Sequence, residues 1–277
     1  MYQIQNGEPY MNLYKISHAY IFRVRARLRS LISLSLLFCG IIIILTTLIS
    51  IFCPQTYTPI TRRALIQLAE KFFNVAHVTN SLILTVATAV FLPYMIALMS
   101  SLVAAMHIAS TVARDRMCGV FEILLSYPIS IRDLTVGLTL YAISTSLVTY
   151  IPPLLLSLPI SMTILTIFNN SKLCNLYITM SLLMIPATIS SALVTLLVSL
   201  IAPKLAKIRV GVLTIQNALT QIGILPLLIP FIILNILPTF NPLILTLYTS
   251  ITCIALSTII TITIPHIIKE TNLITHE

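Results

Sequence analysis

Charged side chains are scarce in this sequence. Asp, Glu, Lys and Arg together make up 8% of the 277 residues, hydrophobic residues make up 58%, and the mean hydropathy is +1.03. A soluble domain carries about 25% charged residues, which keep its surface hydrated. The composition therefore excludes a soluble globular protein and predicts an integral membrane protein whose surface is solvated largely by lipid.

Groups that membrane proteins use for catalysis or energy coupling are also missing. The long apolar runs contain no carboxylate, which argues against a proton- or sodium-coupled carrier. The chain has six glycines and no G-x-x-x-x-G-K-[ST] phosphate loop, so we do not expect it to hydrolyse ATP. The five cysteines are isolated, and no Asp, Glu, His or Cys cluster indicates a metal site or a membrane-embedded enzyme. We expect no catalytic, cofactor or metal site in this chain.

Uncharged runs long enough to cross a bilayer are the main feature of the sequence. A membrane helix needs about 20 mostly apolar residues to cross about 30 Å of hydrocarbon. We predict an all-α protein with a single transmembrane domain and six membrane helices, at residues 31–53, 81–113, 134–168, 173–203, 210–236 and 243–265. The first run is too long for a signal-peptide core and is expected to be retained.

Basic residues are divided unequally between the two sides that six spans define. Twelve of the 16 Lys and Arg residues fall in segments 1–30, 114–133, 204–209 and 266–277. The positive-inside rule places this side, and with it both termini, in the cytoplasm. We attribute the net charge of +9 to this topology and to anionic lipid, and expect no nucleic-acid partner. The expected location is the plasma membrane.

The N-terminal segment and the first outer loop each predict an amphipathic helix. Residues 1–30 include FRVRARLR, whose alternation resembles a strand, but next to a membrane span we predict an interfacial helix whose arginines reach the headgroups. In the loop at 54–80, apolar residues at helical spacing predict a short helix on the outer surface. These apolar residues are Leu65, Leu68, Ala69 and Phe72.

The connection between the fifth and sixth spans is rich in proline. Its sequence, LPLLIPFIILNILPTFNPL, occupies residues 225–243. Each proline inside a helix removes a backbone donor that lipid cannot replace. We therefore predict a broken or re-entrant, irregular outer segment here.

Six of the 23 charged residues fall within the 22 residues 113–134, ARDRMCGVFEILLSYPISIRDL. As a helix, residues 115–126 separate into two faces. One face holds Asp115, Gly119, Glu122 and Ser126, and the other Met117, Val120, Phe121 and Leu124. Pro128 ends this helix, and Ser130 with Asp133 forms a capping-box pattern that opens the third span. The segment is predicted to be a short cytoplasmic helix between two membrane helices.

Two interpretations of this helix remain open. It could rest on the lipid headgroups, or it could dock into a groove on a soluble partner. A membrane-resting helix usually favours basic residues, whereas this one carries Asp115 and Glu122 with Gly119 between them. A glycine costs about 1 kcal/mol of helix stability relative to alanine, and its benefit would be the close approach of another backbone.

The stretch ARDRMCGVFEILLSYPIS resembles the region between the second and third spans of ABC-2 type transporter permeases. In that family a charged segment is followed by Gly-Thr-Leu-Glu or similar, a Leu-Leu pair, a proline and a small polar residue. The six spans, the cytoplasmic termini and the FNPL before the last span also resemble the family. The matching residues are Gly119, Glu122, Leu124, Leu125, Pro128 and Ser130, with Val120 and Phe121 in place of the usual threonine and leucine.

The resemblance implies that residues 114–133 form a coupling loop that docks onto a separate ATP-binding subunit. It also implies a complex of two permease subunits, identical or similar, with two ATPase subunits that hold ATP and magnesium, and export as the direction of transport. A non-transporting membrane scaffold is the alternative. The residues assigned to docking are Arg114, Asp115, Arg116, Gly119, Phe121, Glu122, Leu124, Leu125 and Pro128.

Polar and small residues within the spans have two interpretations each. A helical stripe in the fifth span either lines a translocation path or hydrogen-bonds a neighbouring helix. It consists of Thr214, Asn217, Thr220 and Gln221. In the second span, Ser100 with Ala104 and Ser101 with Ala105 predict close helix contact, and His107 is expected to pack against its neighbours.

Overall fold

The computed structural model describes residues 9–52, 65–67, 69–70, 80–126, 130–167, 171–202, 218–236 and 241–267. The helices are α1 Pro9–Phe52, α2 Asn80–Met117, α3 Val120–Ser126, α4 Ile131–Ile167, α5 Ser171–Leu183, α6 Ile185–Ile201, α7 Ala218–Ile236 and α8 Pro242–Ile267. Residues 65–67, 69 and 70 are also helical. This part of the chain contains no strand, so the all-α prediction is confirmed for it.

Within the described residues, five stretches are long and apolar enough to cross a membrane. They are Val24–Leu45, Thr85–Met117, Ile131–Thr163, Leu173–Ile201 and Pro242–Ile267. The predicted fifth span, 210–236, is represented by a shorter apolar helix, Thr220–Ile236, because residues 210–217 lie outside the described part. The chain is therefore a helical membrane-embedded protein with five candidate spans.

The first span begins earlier than predicted. Helix α1 continues from Pro9 to Phe52 without a break, since no proline or glycine interrupts residues 10–39. Its 44 residues correspond to a rod of about 66 Å, roughly twice the hydrocarbon thickness. The helix predicted for FRVRARLR is therefore the first part of one long helix. Arg25, Arg27 and Arg29 are exposed on it.

The predicted fourth span consists of two helices that meet at Met184. Pro186 is the second residue of α6, a position where its missing N–H removes little helical hydrogen bonding. The backbone bonds from Met184 N–H to Met180 O and from Thr188 N–H to Met184 O, both 3.1 Å, continue across the junction. The two helices therefore form one membrane-crossing unit with a local break.

The prediction of a break in the proline-rich segment is wrong for residues 226–236. Helix α7 includes both Pro226 and Pro230. These prolines are four residues apart and so lie on one face of the helix. Both backbone hydrogen bonds that proline cannot donate are therefore lost on that face, and the hydrogen bonds on the other faces hold the helix together. Residues 237–240 lie outside the described part.

The buried apolar side chains form two large clusters at opposite ends of the helices. One cluster joins the first half of α1 to α3, the start of α4 and the ends of α2, α6 and α8; we call this the α3 end. Its members include Tyr20, Val24, Leu31, Val112, Phe121, Leu134, Leu200 and Ile264. The other cluster includes Cys39, Ile43, Leu65, Ala69, Val86, Leu173 and Leu234. The helical residues near Leu65 therefore pack far from α3.

Small residues bring the helices close together, as predicted for the second span. Ser100, Ser101, Ala104 and Ala105 are all buried, and Ser100 Oγ lies 3.8 Å from Cys39 Sγ on α1. A Cβ added to Gly223 on α7 would collide with the Thr195 hydroxyl of α6 and would lie 3.5 Å from Ala105 Cβ. Helices α2, α6 and α7 therefore meet at a point where only glycine fits.

Candidate functional site

The connection between α2 and α3 is a two-residue turn at Cys118 and Gly119. Gly119 has φ +64, in the left-handed region that glycine adopts most readily. Its N–H donates to Arg116 O at 3.0 Å, Cys118 N–H donates to Arg114 O at 2.9 Å, and Ile123 N–H donates to Gly119 O at 3.0 Å. The turn thus ends one helix and begins the next.

The backbone conformation of the turn explains why position 119 is glycine. A Cβ added there would meet only Glu122 Oε2, at 3.6 Å, which is an ordinary contact. Within the chain the positive φ accounts for the glycine, and the close approach of a partner's backbone stays a prediction. The predicted single helix over 115–126 is correspondingly two helices, and the faces assigned across the turn do not share one register.

Phe121 fixes α3 to the rest of the chain. Its side chain is fully buried in the α3-end cluster with Tyr20, Val24 and Leu134. Burying a phenylalanine is worth about 1.5–3 kcal/mol. This single aromatic contact is a strong anchor for a helix of seven residues, and it turns the opposite side of α3 away from the protein.

The start of α4 is capped as predicted. Ser130 Oγ accepts a hydrogen bond from Asp133 N–H at 3.1 Å, which confirms the N-cap. Asp133 also lies in the first turn of α4, where a negative charge is favourable. Residues 127–129, including Pro128, lie outside the described part.

Arg116 joins the end of α2 to the end of α6. Its side chain is buried, and Nη2 donates to Leu200 O at 3.3 Å. Leu200 lies in the last turn of α6, where carbonyl groups lack a helical donor and a cation is favourable. The base of the α2–α3 turn is therefore tied to a second membrane helix.

The residues predicted to dock a partner are divided by the structure into an inner and an outer set. Asp115, Arg116 and Phe121 are buried within the chain, whereas Leu124, Leu125 and Gly119 are partly buried. Arg114 and Glu122 are exposed. Sequence reasoning missed Ile123, which is 58% exposed, because the wheel drawn for one continuous helix placed it on neither face.

The outer surface of the turn and α3 is consequently mixed in character. Met117 is 67% exposed and, together with Ile123, offers an apolar contact, while Glu122 supplies a negative charge beside them. We call Met117, at the end of α2, together with Glu122 and Ile123 of α3, the outer face. A surface of this kind combines apolar contact area with a single directed charge.

The predicted polar stripe of the fifth span is described only in part. Thr214 and Asn217 lie outside the described residues. Thr220 is buried and Gln221 is exposed, so these neighbours point in different directions. The described half of the stripe therefore does not form one continuous polar surface.

A cavity of about 370 Å³ lies behind the turn, between α1, α2 and α4. Tyr141 Oη donates to Thr111 Oγ1 at 2.9 Å, and the rings of His107 and Tyr141 are 6.1 Å apart. His107 thus packs against a neighbour, as predicted, but it also faces a cavity. The lining residues are Ala26, Arg27, His107, Thr111, Arg114, Asp115, Cys118, Val120 and Tyr141.

This cavity could not be found from the sequence alone. Its polar residues come from positions near 27, 107–115 and 141, on three helices, with no local spacing pattern. The one available signal was that Arg27 and Arg114 were predicted to lie on the same side of the membrane. Among the described residues, no group of three His, Cys, Asp or Glu side chains is placed to hold a metal ion.

Comparison of the chain with protein-family models, with curated proteins and with solved structures finds no match.

Proposed function

We propose that this chain is the permease subunit of an ATP-driven ABC-2 type transporter in the plasma membrane, an exporter. In this proposal α3 is the coupling helix and docks onto a separate subunit that binds ATP and magnesium. A second permease subunit, identical or similar, completes the membrane part. The observation that carries the proposal is the geometry of α3, a short helix with a buried anchor and an outward-facing side between two membrane helices.

The construction of α3 suits the transmission of force. Phe121 holds the helix against the chain, and only Cys118 and Gly119 separate it from α2. A push on the outer face would therefore reach α2 directly, and would reach α6 through Arg116 and Leu200. A helix that merely rested on headgroups would gain nothing from such a connection.

The outer face also suits a protein partner better than a lipid surface. Anionic headgroups attract basic side chains, yet the exposed charge of α3 is that of Glu122. The exposed side chains of Met117 and Ile123 supply apolar contact area. A groove on the ATPase that offered a basic residue flanked by apolar side chains would be complementary.

The proposed topology has six spans, with both termini and residues 114–133 in the cytoplasm. It is supported by the α3 end, where the first half of α1, α3 and the end of α8 pack in one cluster. Arg25, Arg27, Arg29 and Arg114 are exposed on that half of α1 and at the end of α2. Their basic charge is what the positive-inside rule expects of a cytoplasmic side.

Charge reversal at Glu122 tests the docking proposal. In Glu122→Lys we expect at least a tenfold loss of co-purified ATPase and of ATP-driven transport, with normal membrane insertion. Glu70→Lys is the matched control, because Glu70 is also exposed on a helix but belongs to the opposite end of the protein. A Glu122→Lys protein that binds the ATPase and transports like the wild type would refute docking through this face.

The exposed thiol of Cys118 tests the topology and the role as a transporter. A membrane-impermeant thiol reagent should label Cys118 only from the cytoplasmic side. Cys39 and Cys253 are buried but Cys174 is partly exposed, so the Cys118 signal is the labelling that Cys118→Ser removes. Labelling of Cys118 from outside the cell would overturn the proposed orientation. ATP-dependent solute uptake into inside-out vesicles distinguishes a permease from a non-transporting scaffold, which would show none.

A further inference from the structure

We infer that the cavity behind the α2–α3 turn binds an anionic phospholipid, with its headgroup phosphate held between Arg27 and Arg114. Arg114 is also among the residues assigned to docking, but the inference does not depend on the proposed transport function. The argument uses the charge of the cavity, the apolar groove that continues from it and its depth along the helices.

The net charge of the cavity lining matches one bound anion. Arg27 and Arg114 contribute two positive charges to its lining and Asp115 one negative charge, which leaves a single excess positive charge. Guanidinium groups bind phosphate through paired, charge-assisted hydrogen bonds. A volume of about 370 Å³ lies in the range of small-ligand pockets, about 300–1,000 Å³.

Neutral donors in the cavity complement the two arginines. Tyr141 donates its hydroxyl hydrogen to Thr111, so the hydroxyl hydrogen of Thr111 can be donated to a bound oxygen. The imidazole of His107 also lines the cavity and carries an N–H donor. A phosphate diester, which has only acceptors, matches this set of donors.

A second cavity extends the first along the helices. It measures about 410 Å³, and the two cavities share Arg27 and His107. Its further lining is mostly apolar and includes Leu31, Leu34 and Val103. Leu31 is buried at the bottom of this groove, whereas Leu34 is 39% exposed, so the groove opens on the outside of the helix bundle.

The combination favours a lipid over a free anion. A soluble phosphate would occupy the polar cavity alone and would leave the apolar groove between α1 and α2 empty. An acyl chain lying along Leu31 and Leu34 would fill that groove with apolar contacts. The polar cavity therefore matches a lipid headgroup, and the apolar groove matches its acyl chain.

The depth of the site agrees with a headgroup position. Arg27 lies near the beginning of the candidate span Val24–Leu45, and Arg114 near the end of Thr85–Met117. Leu31 and Leu34 follow Arg27 by one and two helical turns toward the middle of the span. The basic end of the site therefore lies at the membrane boundary and the apolar end points into the bilayer.

The test measures lipid binding to the purified, delipidated full chain in detergent by native mass spectrometry. The probes are phosphatidylglycerol, phosphatidylcholine and inorganic phosphate. For the wild type we expect phosphatidylglycerol to bind at least tenfold more tightly than phosphatidylcholine, and inorganic phosphate not to displace it at equal concentration. Arg27→Gln should weaken phosphatidylglycerol binding about tenfold, the loss expected for one charge-assisted phosphate contact.

Arg25→Gln is the matched control, because Arg25 is exposed on the same helix but does not line either cavity. It should change the affinity less than twofold. Arg114→Gln should repeat the effect of Arg27→Gln, and circular dichroism checks that each variant is folded. Equal losses in the Arg25 and Arg27 variants would show diffuse surface attraction and overturn the inference. Full displacement by inorganic phosphate would show a soluble-anion site and would also overturn it.

Discussion

Replacing Gly119 by alanine tests whether the α2–α3 turn needs a left-handed residue. Gly119 has φ +64, a conformation that costs an L residue about 1–2 kcal/mol. A Cβ at this position would have only an ordinary contact, 3.6 Å from Glu122 Oε2. The expected cost of Gly119→Ala is therefore the backbone term alone, without a steric term.

The cost should appear as easier local opening of α3. A loss of 1–2 kcal/mol corresponds to roughly a 5- to 30-fold increase in the open population. Hydrogen exchange of the α3 amides in the full chain measures it, and the Ile123 amide is the best reporter because it donates to Gly119 O at 3.0 Å. Asparagine adopts the left-handed conformation more easily than alanine. The exchange rate of the α3 amides in Gly119→Asn should therefore lie between the rates in the wild type and in Gly119→Ala.

Gly40→Ala is the control for a glycine without this constraint. Gly40 lies inside α1, a Cβ there would meet nothing within 4 Å, and its φ is not positive. The alanine variant should keep or raise stability, by up to about 1 kcal/mol from helix propensity. If Gly119→Ala exchanged as slowly as wild type, or if the asparagine and alanine variants were equally affected, the left-handed turn would be refuted.

Two further substitutions test the contacts that hold the membrane helices around this turn. Arg116→Met should lower the free energy of unfolding in detergent by about 1.5–3 kcal/mol, because Leu200 O loses a charged donor. Arg116→Lys should lose less stability than Arg116→Met. An unchanged melting temperature in the methionine variant would contradict the contact. Gly223→Ala should cost about 1–3 kcal/mol by overpacking against Thr195, whose Cβ would lie 3.2 Å from the new methyl. Thr195→Ala should partly rescue it, and strictly additive effects in that double mutant would rule out the close packing.

The class of the fold follows from composition because the hydrophobic effect scales with apolar area, whatever the order of the residues. Long runs without charge are stable only in a bilayer, where backbone N–H and C=O groups must be hydrogen-bonded within the protein, as they are in helices and closed barrels. The runs at 81–113, 134–168 and 243–265 correspond to described helices within a few residues. Length and polarity are sufficient to predict these helices because both are properties of the run itself.

The details at Gly119, Pro186 and Pro226 depend on forces that local patterns represent poorly. A helical wheel assumes continuous helix, and one left-handed residue at Gly119 shifts every later position. Proline was expected to break α7, yet the helix includes Pro226, since an open backbone in lipid costs more than one missing bond. At Pro186 the outcome is the opposite, because the helix is interrupted at Met184, the residue before α6 begins. These cases differ by packing, which is not visible in sequence.

The candidate site was predictable only where its residues are neighbours in the chain. The charged segment at 114–133 was recognised because its residue types and spacing are contiguous, and the N-cap at Ser130 followed the same logic. The burial of Phe121, which was assigned to docking, was not visible in the local pattern because Tyr20 and Val24 of the same cluster are about a hundred positions away. The cavity with Arg27 and His107 was missed for the same reason.

The proposed lipid site and the proposed docking face share the α2–α3 turn. Cys118 and Val120 line the cavity on one side of the turn, and Met117 and Glu122 lie on the outer face. A lipid that held Arg114 and Asp115 in one arrangement would therefore bias the orientation of α3. Linkage then requires reciprocity: any factor by which the lipid raises the affinity for the ATPase is the factor by which the ATPase raises the affinity for the lipid. If α3 moved with no effect on the cavity, the two affinities would be independent, which is not expected because Cys118 and Val120 belong to the cavity lining.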